Sequence, residues 1–431
     1  METALYSVDD IYNVSKDKAE KMRFEAIKHS FTHHYTESPF YGDYCRDNNV
    51  SPEDIKTTED FKKIPLITDR FFKDYPEPNE NPKRFLRWLK AITPLVPNVG
   101  HIPANIDDIV STLHKKGFSP LFSSGSTGTM SFVPYDETTL DRKKYQLIKA
   151  LYSSGMIGGE GGHNPHSLVI PTFVPNPYKS CMGGIKMLES LEDISDEVWW
   201  ASDRVITPSF LKEIVGTGES KYSISRNAGK SENENEKNQQ AEYMGRIINR
   251  LVDIDRTKEK DVIIGSTPGP IYGMLRAMEK EGISVDLHDI GWVIFSGGWE
   301  NISQIEPKKK VKKVLNIPPA RCIGIYAMTE ISSVMPSCTD EDSFYYHVPY
   351  FTQAFVRSDD GDLSEYGRGR LTFLDPMPTS YPAFLAIGDE GEILPKCPLC
   401  KREGQVITKV RRKEGEDAKG CRVALDRIAD F

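Results

Sequence analysis

Residues 122–129 read Phe122-Ser123-Ser124-Gly125-Ser126-Thr127-Gly128-Thr129, five hydroxyls and two glycines in eight residues. Glycine lets a backbone adopt positive φ and approach a ligand closely, while bare amide N–H groups and Ser/Thr hydroxyls donate to phosphate oxygens. The stretch therefore predicts a loop that folds around a polyphosphate. The Gly-x-x-x-x-Gly-Lys-Ser/Thr loop is disfavoured, because no Lys follows Gly128. A Ser/Gly linker would have the same composition. However, Leu121-Phe122 run straight into the loop and Phe132-Val133 follow it shortly, so both flanks read as buried strand.

Around this loop lies a chain of 431 residues. Single cores stop growing beyond roughly 250–300 residues, so a large domain with more than one lobe is expected. The 55 basic and 63 acidic residues give a net charge of −8 without a long basic run, which argues against nucleic acid or an anionic membrane surface as the main partner. No apolar run reaches the roughly 18 residues of a membrane span. Met1-Glu2-Thr3-Ala4 lacks the basic and apolar regions of a signal peptide, so a cytosolic protein is expected. Seven cysteines, an odd number in a chain this long, predict free thiols rather than a disulfide scaffold.

From about Ser7 to Lys90 the pattern is mostly helical, broken at Ser38-Pro39-Phe40-Tyr41 and at Ile64-Pro65-Leu66. After the loop, Leu168-Val169-Ile170, Val262-Ile263-Ile264 and Trp292-Val293-Ile294-Phe295 are short, β-branched-rich and soon followed by Gly or Pro. They suit buried strands alternating with helices, hence an α/β architecture. The almost wholly polar stretch from Asn227 to Gln240 reads as a mobile surface loop or the exposed start of a helix.

Several segments have side chains suited to nucleotide chemistry. Ser296-Gly297-Gly298-Trp299-Glu300 follows the strand ending at Phe295, the end at which open α/β sheets bind ligands, and its glycines would let a flat base lie on the backbone. A tight turn is the plainer alternative. Ile325-Tyr326-Ala327-Met328-Thr329-Glu330 offers a carboxylate suited to Mg²⁺, although a solvated Glu has the same spelling. Ile387-Gly388-Asp389 offers one carboxylate with two oxygens for two hydroxyl donors, or a Gly-Asp turn between strands. Arg411-Arg412 supplies planar forks of donors, and the choice between the two stays open beside a solvated basic patch from Lys409 to Lys413.

Loop, small-residue turn, Tyr–Thr–Glu segment, Gly-Asp and Arg follow one another in the order used by the adenylate-forming enzymes, the superfamily of acyl-coenzyme A synthetases, peptide-synthetase adenylation domains and luciferases. The chain resembles that superfamily over most of its length. The resemblance implies that Ser123 to Thr129 wrap the phosphates of ATP and that Ser296, Gly297 and Gly298 line the adenine pocket. It implies further that Tyr326 stacks on adenine, Thr329 contacts phosphate, Glu330 helps hold Mg²⁺, Asp389 takes the ribose hydroxyls, and Arg411 or Arg412 reaches the ribose or the α-phosphate. Ala327 replaces the usual Gly, and Met130-Ser131 stand where many relatives have a Lys. Gly265-Ser266-Thr267-Pro268-Gly269 sit where relatives line the acyl pocket. His34-Tyr35-Thr36-Glu37-Ser38-Pro39-Phe40-Tyr41 and Lys63-Ile64-Pro65-Leu66-Ile67-Thr68 look like the start of phenylacetate-coenzyme A ligases.

The implied reaction is attack of a carboxylate oxygen on the α-phosphorus of ATP to give an acyl-adenylate. Relatives then continue into a lid domain, for which roughly a hundred residues are needed, whereas only 42 residues follow Asp389 here. The expected organisation is an adenylation domain over 1–385, with a helical region over 1–115 and a nucleotide-binding core over 116–385. A short C-terminal segment over 386–431 stands in place of the lid. That segment contains Lys419-Gly420-Cys421-Arg422-Val423, which resembles the acyl-protein synthetases of the bacterial bioluminescence fatty-acid reductase complex. There the acyl group moves onto a Cys of the enzyme and then to a reductase partner. The resemblance implies Cys421 as acyl acceptor, a role suited to a thiolate flanked by Lys419 and Arg422. Two other readings stay open: Cys421 as a small buried hydrophobe, or Cys397-Pro398-Leu399-Cys400 with Cys421 as zinc ligands, Cys322 or Cys338 completing the set because no His follows His347. A coenzyme A ligase of the phenylacetate type and a non-catalytic nucleotide-binding subunit are the alternative functions.

Overall fold

The computed structural model describes residues 10–122, 130–158, 167–170, 191–200, 207–209, 234–258, 261–266, 268–296 and 305–412. Helices α1 (Lys16–Glu37) and α2 (Pro39–Asp47) meet at Ser38, whose hydroxyl accepts from the Tyr41 amide while Pro39 takes the first helical position. A Ser cap followed by Pro starts a helix, so the predicted break is a corner between two helices. Strand β1 (Ile67–Thr68) follows, then α3 (Pro82–Ile92) and α4 (Ile106–His114), each capped by an Asn side chain. Strands β2 (Phe118–Phe122) and β3 (Phe132–Asp136) pair antiparallel on either side of the hydroxyl-rich loop, as expected. The loop itself, Ser123 to Thr129, lies outside the described residues. Asp136 then caps α5 (Glu137–Ser153), accepting from the Thr139 amide at 3.1 Å.

The alternating half follows: β4 (Ser167–Ile170), β5 (Val198–Trp200), α6 (Glu234–Thr257), β6 (Val262–Ser266), α7 (Pro268–Lys280), β7 (Gly291–Ser296), α8 (Ile305–Leu315) and β8 (Cys322–Met328). All three apolar runs picked out in the sequence are strands. Of the polar stretch 227–240, the part from Glu234 onward is the start of α6, and the rest lies outside the described residues. The chain finishes in a meander-like series: β9 (Ile331–Thr339), β10 (Phe344–His347), β11 (Gln353–Arg357), β12 (Leu363–Ser364), β13 (Gly367–Asp375), β14 (Ala383–Lys396) and β15 (Glu403–Arg412).

One sheet of 13 strands unites the two halves in the order β12-β11-β13-β14-β15-β10-β9-β8-β7-β6-β4-β5, with β1 added to β14. From β5 to β8 every pairing is parallel, and from β8 to β12 every pairing is antiparallel. The parallel strands read as unbroken apolar runs because both faces are covered. Val262, Ile264, Val293 and Phe295 enter one core, while Ile263, Trp292, Ile323 and Ile325 enter the other.

The helical N-terminal region packs on the beginning of β14. The Phe384 ring lies 6.1 Å from that of Phe31, 6.1 Å from His34 and 5.8 Å from Tyr41. Ile67 pairs with Leu385 in the parallel β1–β14 ladder. The division expected between 385 and 386 falls inside β14, which runs unbroken from this packing into the nucleotide segment.

Candidate active site

Three of the expected nucleotide residues form one hydrogen-bonded group. Tyr326 lies in β8, and its hydroxyl donates to Asp389 Oδ2 at 2.8 Å. Asp389 lies within β14 rather than in a turn, and Arg412 at the end of β15 donates from Nη1 to its Oδ1 at 3.0 Å. Register explains the second contact: Asp389 and Arg412 are directly opposite in the antiparallel β14–β15 ladder, and opposite residues share a face. The neighbouring pair Glu390 and Arg411 faces the other way, with Arg411 Nη2 donating to Glu390 at 2.8 Å. Alternation along a strand thus separates two arginines that are adjacent in sequence. Arg411 keeps 78% of its side chain exposed and Arg412 45%. Gly388 belongs to the same arrangement, since a Cβ there would meet the Arg412 guanidinium carbon at 3.2 Å.

Behind this group lies an aromatic wall. The Tyr326 ring is 5.7 Å from Tyr346 on β10 and 6.2 Å from Phe373 on β13. Tyr346 can lie across β8 only because residue 324 is glycine; a Cβ there would sit 2.9 Å from the Tyr346 ring and 2.8 Å from Phe344. Burial first, and the Asp389 charge second, push the Tyr326 hydroxyl well above its ordinary pKa, so it stays protonated and acts as a donor.

The turn between β8 and β9 carries Thr329 and Glu330. Glu330 is 5% exposed and its Oε1 accepts from the Ser131 hydroxyl, which rules out the solvated-surface reading of this carboxylate. Ser131 immediately precedes β3, so the downstream flank of the hydroxyl-rich loop is tied to the Tyr–Thr–Glu segment. Tyr135 on β3 adds a second tie, donating to the Thr329 carbonyl at 2.8 Å. Lys143 on α5 completes it, its Nζ lying 3.2 Å from the Tyr135 hydroxyl and 3.3 Å from the carbonyls of Met328 and Ile331. The ammonium thus caps carbonyls that the sharp β8–β9 turn leaves over. Tyr135 and Lys143 escaped the sequence reading, and Ser131 entered it only as a residue standing where many relatives have a Lys. Only Ser131, adjacent to the loop, carried a signal there.

Ser296 ends β7 and is the ladder partner of Ile325, next to Tyr326, so the first residue of the segment expected to line the base pocket lies beside the Tyr–Thr–Glu segment. Gly297 and Gly298 lie outside the described residues, as does Cys421. Ser266, at the end of β6 in the stretch expected to line the acyl pocket, is buried and its hydroxyl finds no partner among the described residues. Cys397 and Cys400 lie in the turn at the far end of the β14–β15 hairpin, where Cys338 and His347 join them. Cys322 is elsewhere, with its sulfur 3.9 Å from the Pro318 carbonyl.

The carboxylate of Glu330 is the hard oxygen donor that Mg²⁺ favours. The Asp389 oxygens each use one acceptor site on the protein and retain others for a ligand. The residues present therefore fit a nucleotide with its metal. No helix among the described residues is long and apolar enough to cross a membrane.

Comparison with known proteins agrees with this geometry. Residues 219–429 match the family model described as acyl-protein synthetase, LuxE. No curated protein matches the chain. Among solved structures, 2-hydroxyisobutyryl-CoA ligase in an open conformation with 2-HIB-AMP and CoA has a TM-score of 0.58 at 14% identity, covering 95% of this chain and 78% of that one. The same ligase in its postadenylation state with 2-HIB-AMP gives 0.56 at 15% identity, covering 91% of this chain and 67% of that one. Its thioesterification state with 2-HIB-AMP and CoA gives 0.57 at 15% identity, with the same 91% and 67% coverage. The fold is that of the adenylate-forming ligases, as the order of motifs predicts.

Proposed function

We propose that this protein activates a carboxylic acid, a fatty acid in the leading case, with ATP and passes the acyl group to a protein thiol. The acyl-protein synthetase match over residues 219–429 and the adenylate-forming fold support this reading. The observation that carries it is the meeting of Asp389 on β14 and Arg412 on β15 with Tyr326 on β8, the strand that leads into Thr329 and Glu330.

In this reading the Tyr326 ring stacks on adenine beside Ser296, Gly297 and Gly298. Asp389 accepts the ribose hydroxyls, and Arg412, rather than Arg411, reaches the ribose or the α-phosphate. The loop Ser123, Ser124, Gly125, Ser126, Thr127, Gly128, Thr129 donates to the triphosphate together with Thr329. Mg²⁺ held with the help of Glu330 would offset charge on the phosphates. A carboxylate oxygen of the acid attacks the α-phosphorus, the bond to the bridging oxygen breaks, and pyrophosphate leaves. The Cys421 thiolate then attacks the acyl carbon and AMP departs, leaving a thioester that an acyl reductase or another thiol protein can take.

Intact mass after incubation with ATP, Mg²⁺ and mixed fatty acids tests this. The expected result is an added acyl mass removed by hydroxylamine and absent from Cys421→Ser. The likeness to a coenzyme A ligase favours one rival. AMP release that depends on coenzyme A and persists in Cys421→Ser would establish that rival. Failure to exchange labelled pyrophosphate into ATP across a wide panel of acids would reduce the protein to a nucleotide-binding subunit.

A further inference from the structure

At the tip of the β14–β15 hairpin, four side chains far apart in sequence converge. Cys338 lies near the end of β9 and His347 ends β10, while Cys397 and Cys400 come from the turn that joins β14 to β15. The ladder partner of Cys338 is Tyr345, so His347, two residues further on, is on the same face as Cys338. Their ligand atoms all lie within 4.8 Å of one another. His347 Nε2 is 3.3 Å from Cys338 Sγ and 3.6 Å from Cys400 Sγ. A tetrahedral zinc with Zn–S near 2.3 Å and Zn–N near 2.0 Å requires ligand atoms roughly 3.5–3.8 Å apart. The observed cluster is at that spacing or within a side-chain adjustment of it.

The turn is also built like a metal-binding knuckle. The backbone amides of Leu399 and Cys400 lie near the Cys397 sulfur, and that of Arg402 lies near the Cys400 sulfur, where they favour the thiolates. Such donors support thiolates and orient them, as outer-shell groups do around metal ligands. The turn closes with the Cys397 amide on the Arg402 carbonyl at 3.1 Å and with Lys401 at φ 62°. All three thiols are free. As an apolar cluster the arrangement makes little sense, because among the described residues the hydrogen-bond contacts of the buried His347 Nε2 are to sulfurs, and sulfur is a weak hydrogen-bond partner.

We propose that Cys338, His347, Cys397 and Cys400 bind one Zn²⁺, which fastens the tip of the β14–β15 hairpin to β9 and β10. Four protein ligands leave no open position, so the ion is structural. The site lies at the opposite end of the hairpin from Asp389 and Arg412, and it holds β14 and β15 in the register that brings those two together. It also removes a competition: with His347 and Cys338 completing the set, zinc does not need Cys421. The site does not depend on the proposed activity, and binding would occur whether or not the protein turns over ATP.

The test is metal analysis of untagged full-length protein purified without chelator. One zinc per chain is expected, retained in Cys421→Ser and lost in Cys397→Ser and in Cys338→Ser. Because either of those variants could misfold, the unaltered chain is also stripped of metal and titrated with Co²⁺ alone. Intense visible bands of tetrahedral cobalt with sulfur-to-metal charge transfer, saturating at one equivalent and abolished by added Zn²⁺, would support the site. Zinc and cobalt both staying substoichiometric overturns the proposal. So does a Cys397–Cys400 disulfide found in protein handled under nitrogen, or full zinc content in Cys397→Ser.

Discussion

The two halves of the large sheet handle their proposed site residues differently. In the antiparallel half these residues are in paired strands: Tyr326 leads in from β8, Asp389 lies in the middle of β14 and Arg412 ends β15, so ladder register sets their distances. In the parallel half the corresponding residues fall at strand ends, as Ser296 does at the close of β7. Parallel strands are spaced by helices and filled on both faces, so ligand chemistry is left to the loops at their carboxyl ends. Antiparallel strands with one wetter face can place polar side chains along their length. Substitutions in the antiparallel half should therefore act through specific broken contacts.

The largest effect is expected from Asp389→Ala, which removes the acceptor of the Tyr326 hydroxyl and one partner of the Arg412 guanidinium. Losing hydrogen bonds to a charged group costs about 2–3 kcal/mol, so pyrophosphate exchange should fall by roughly a hundredfold, and the buried Tyr326 hydroxyl left without its acceptor should lower the melting temperature as well. A loss under threefold would break the comparison, since in-strand placement would then carry no functional weight.

Acidification comes next and probes where the helical region meets β14. His34 is fully buried against Phe384 with Nε2 3.0 Å from the Pro378 carbonyl, and burial, aided by neighbouring His33, lowers its pKa from 6.5 to about 3. The unfolded chain takes up a proton near pH 6.5 that the folded chain refuses until about pH 3. Stability is therefore complete above pH 6.5 and is lost as pH falls, by about 2 kcal/mol between pH 6.5 and pH 5. Chemical denaturation across this range should show that slope, and His34→Gln should flatten it. An unchanged slope in the variant would assign the acid sensitivity to other groups.

A smaller effect is expected from Tyr326→Phe. It keeps the ring in its aromatic wall and removes one donor, so exchange activity should drop about fivefold, the kinetic equivalent of about 1 kcal/mol. Arg411→Ala should do least. An exposed ion pair contributes under about 1 kcal/mol, and activity within twofold of the unaltered protein would confirm that only the inward-facing arginine serves the site. Equal losses from Arg411→Ala and Arg412→Ala would contradict the face assignment.

How much of this could be read in the sequence followed the same division. Tyr326, Glu330 and Asp389 were legible because each brings its chemistry in a short contiguous segment. Arg411 and Arg412 could be named but not separated, since only the pairing of β14 with β15 decides which one turns inward. The apolar runs at 168–170, 262–264 and 292–295 were legible as strands because burial on both faces removes polar residues. Lys143 was not legible, because its role depends on α5 crossing the β8–β9 turn. Nor was the pairing of Cys338 and His347 with Cys397 and Cys400. The half-site was visible, but β10 becomes the neighbour of β15 only through a sheet order that skips four strands of sequence.

The short parallel ladder between β1 and β14 has a consequence for how the protein is made. Ile67 finds its partner only at Leu385, and His34 reaches the Pro378 carbonyl across 344 residues. At translation rates of about 5–20 residues per second, the first helices wait roughly 17–70 s for the strand they cover. During that interval Phe31, Phe40 and Tyr41, all buried in the finished molecule, have no β14 to pack against. The nascent chain should accordingly depend on holdase chaperones, and ribosome-bound fragments stopped before residue 383 should be protease-sensitive throughout their first hundred residues.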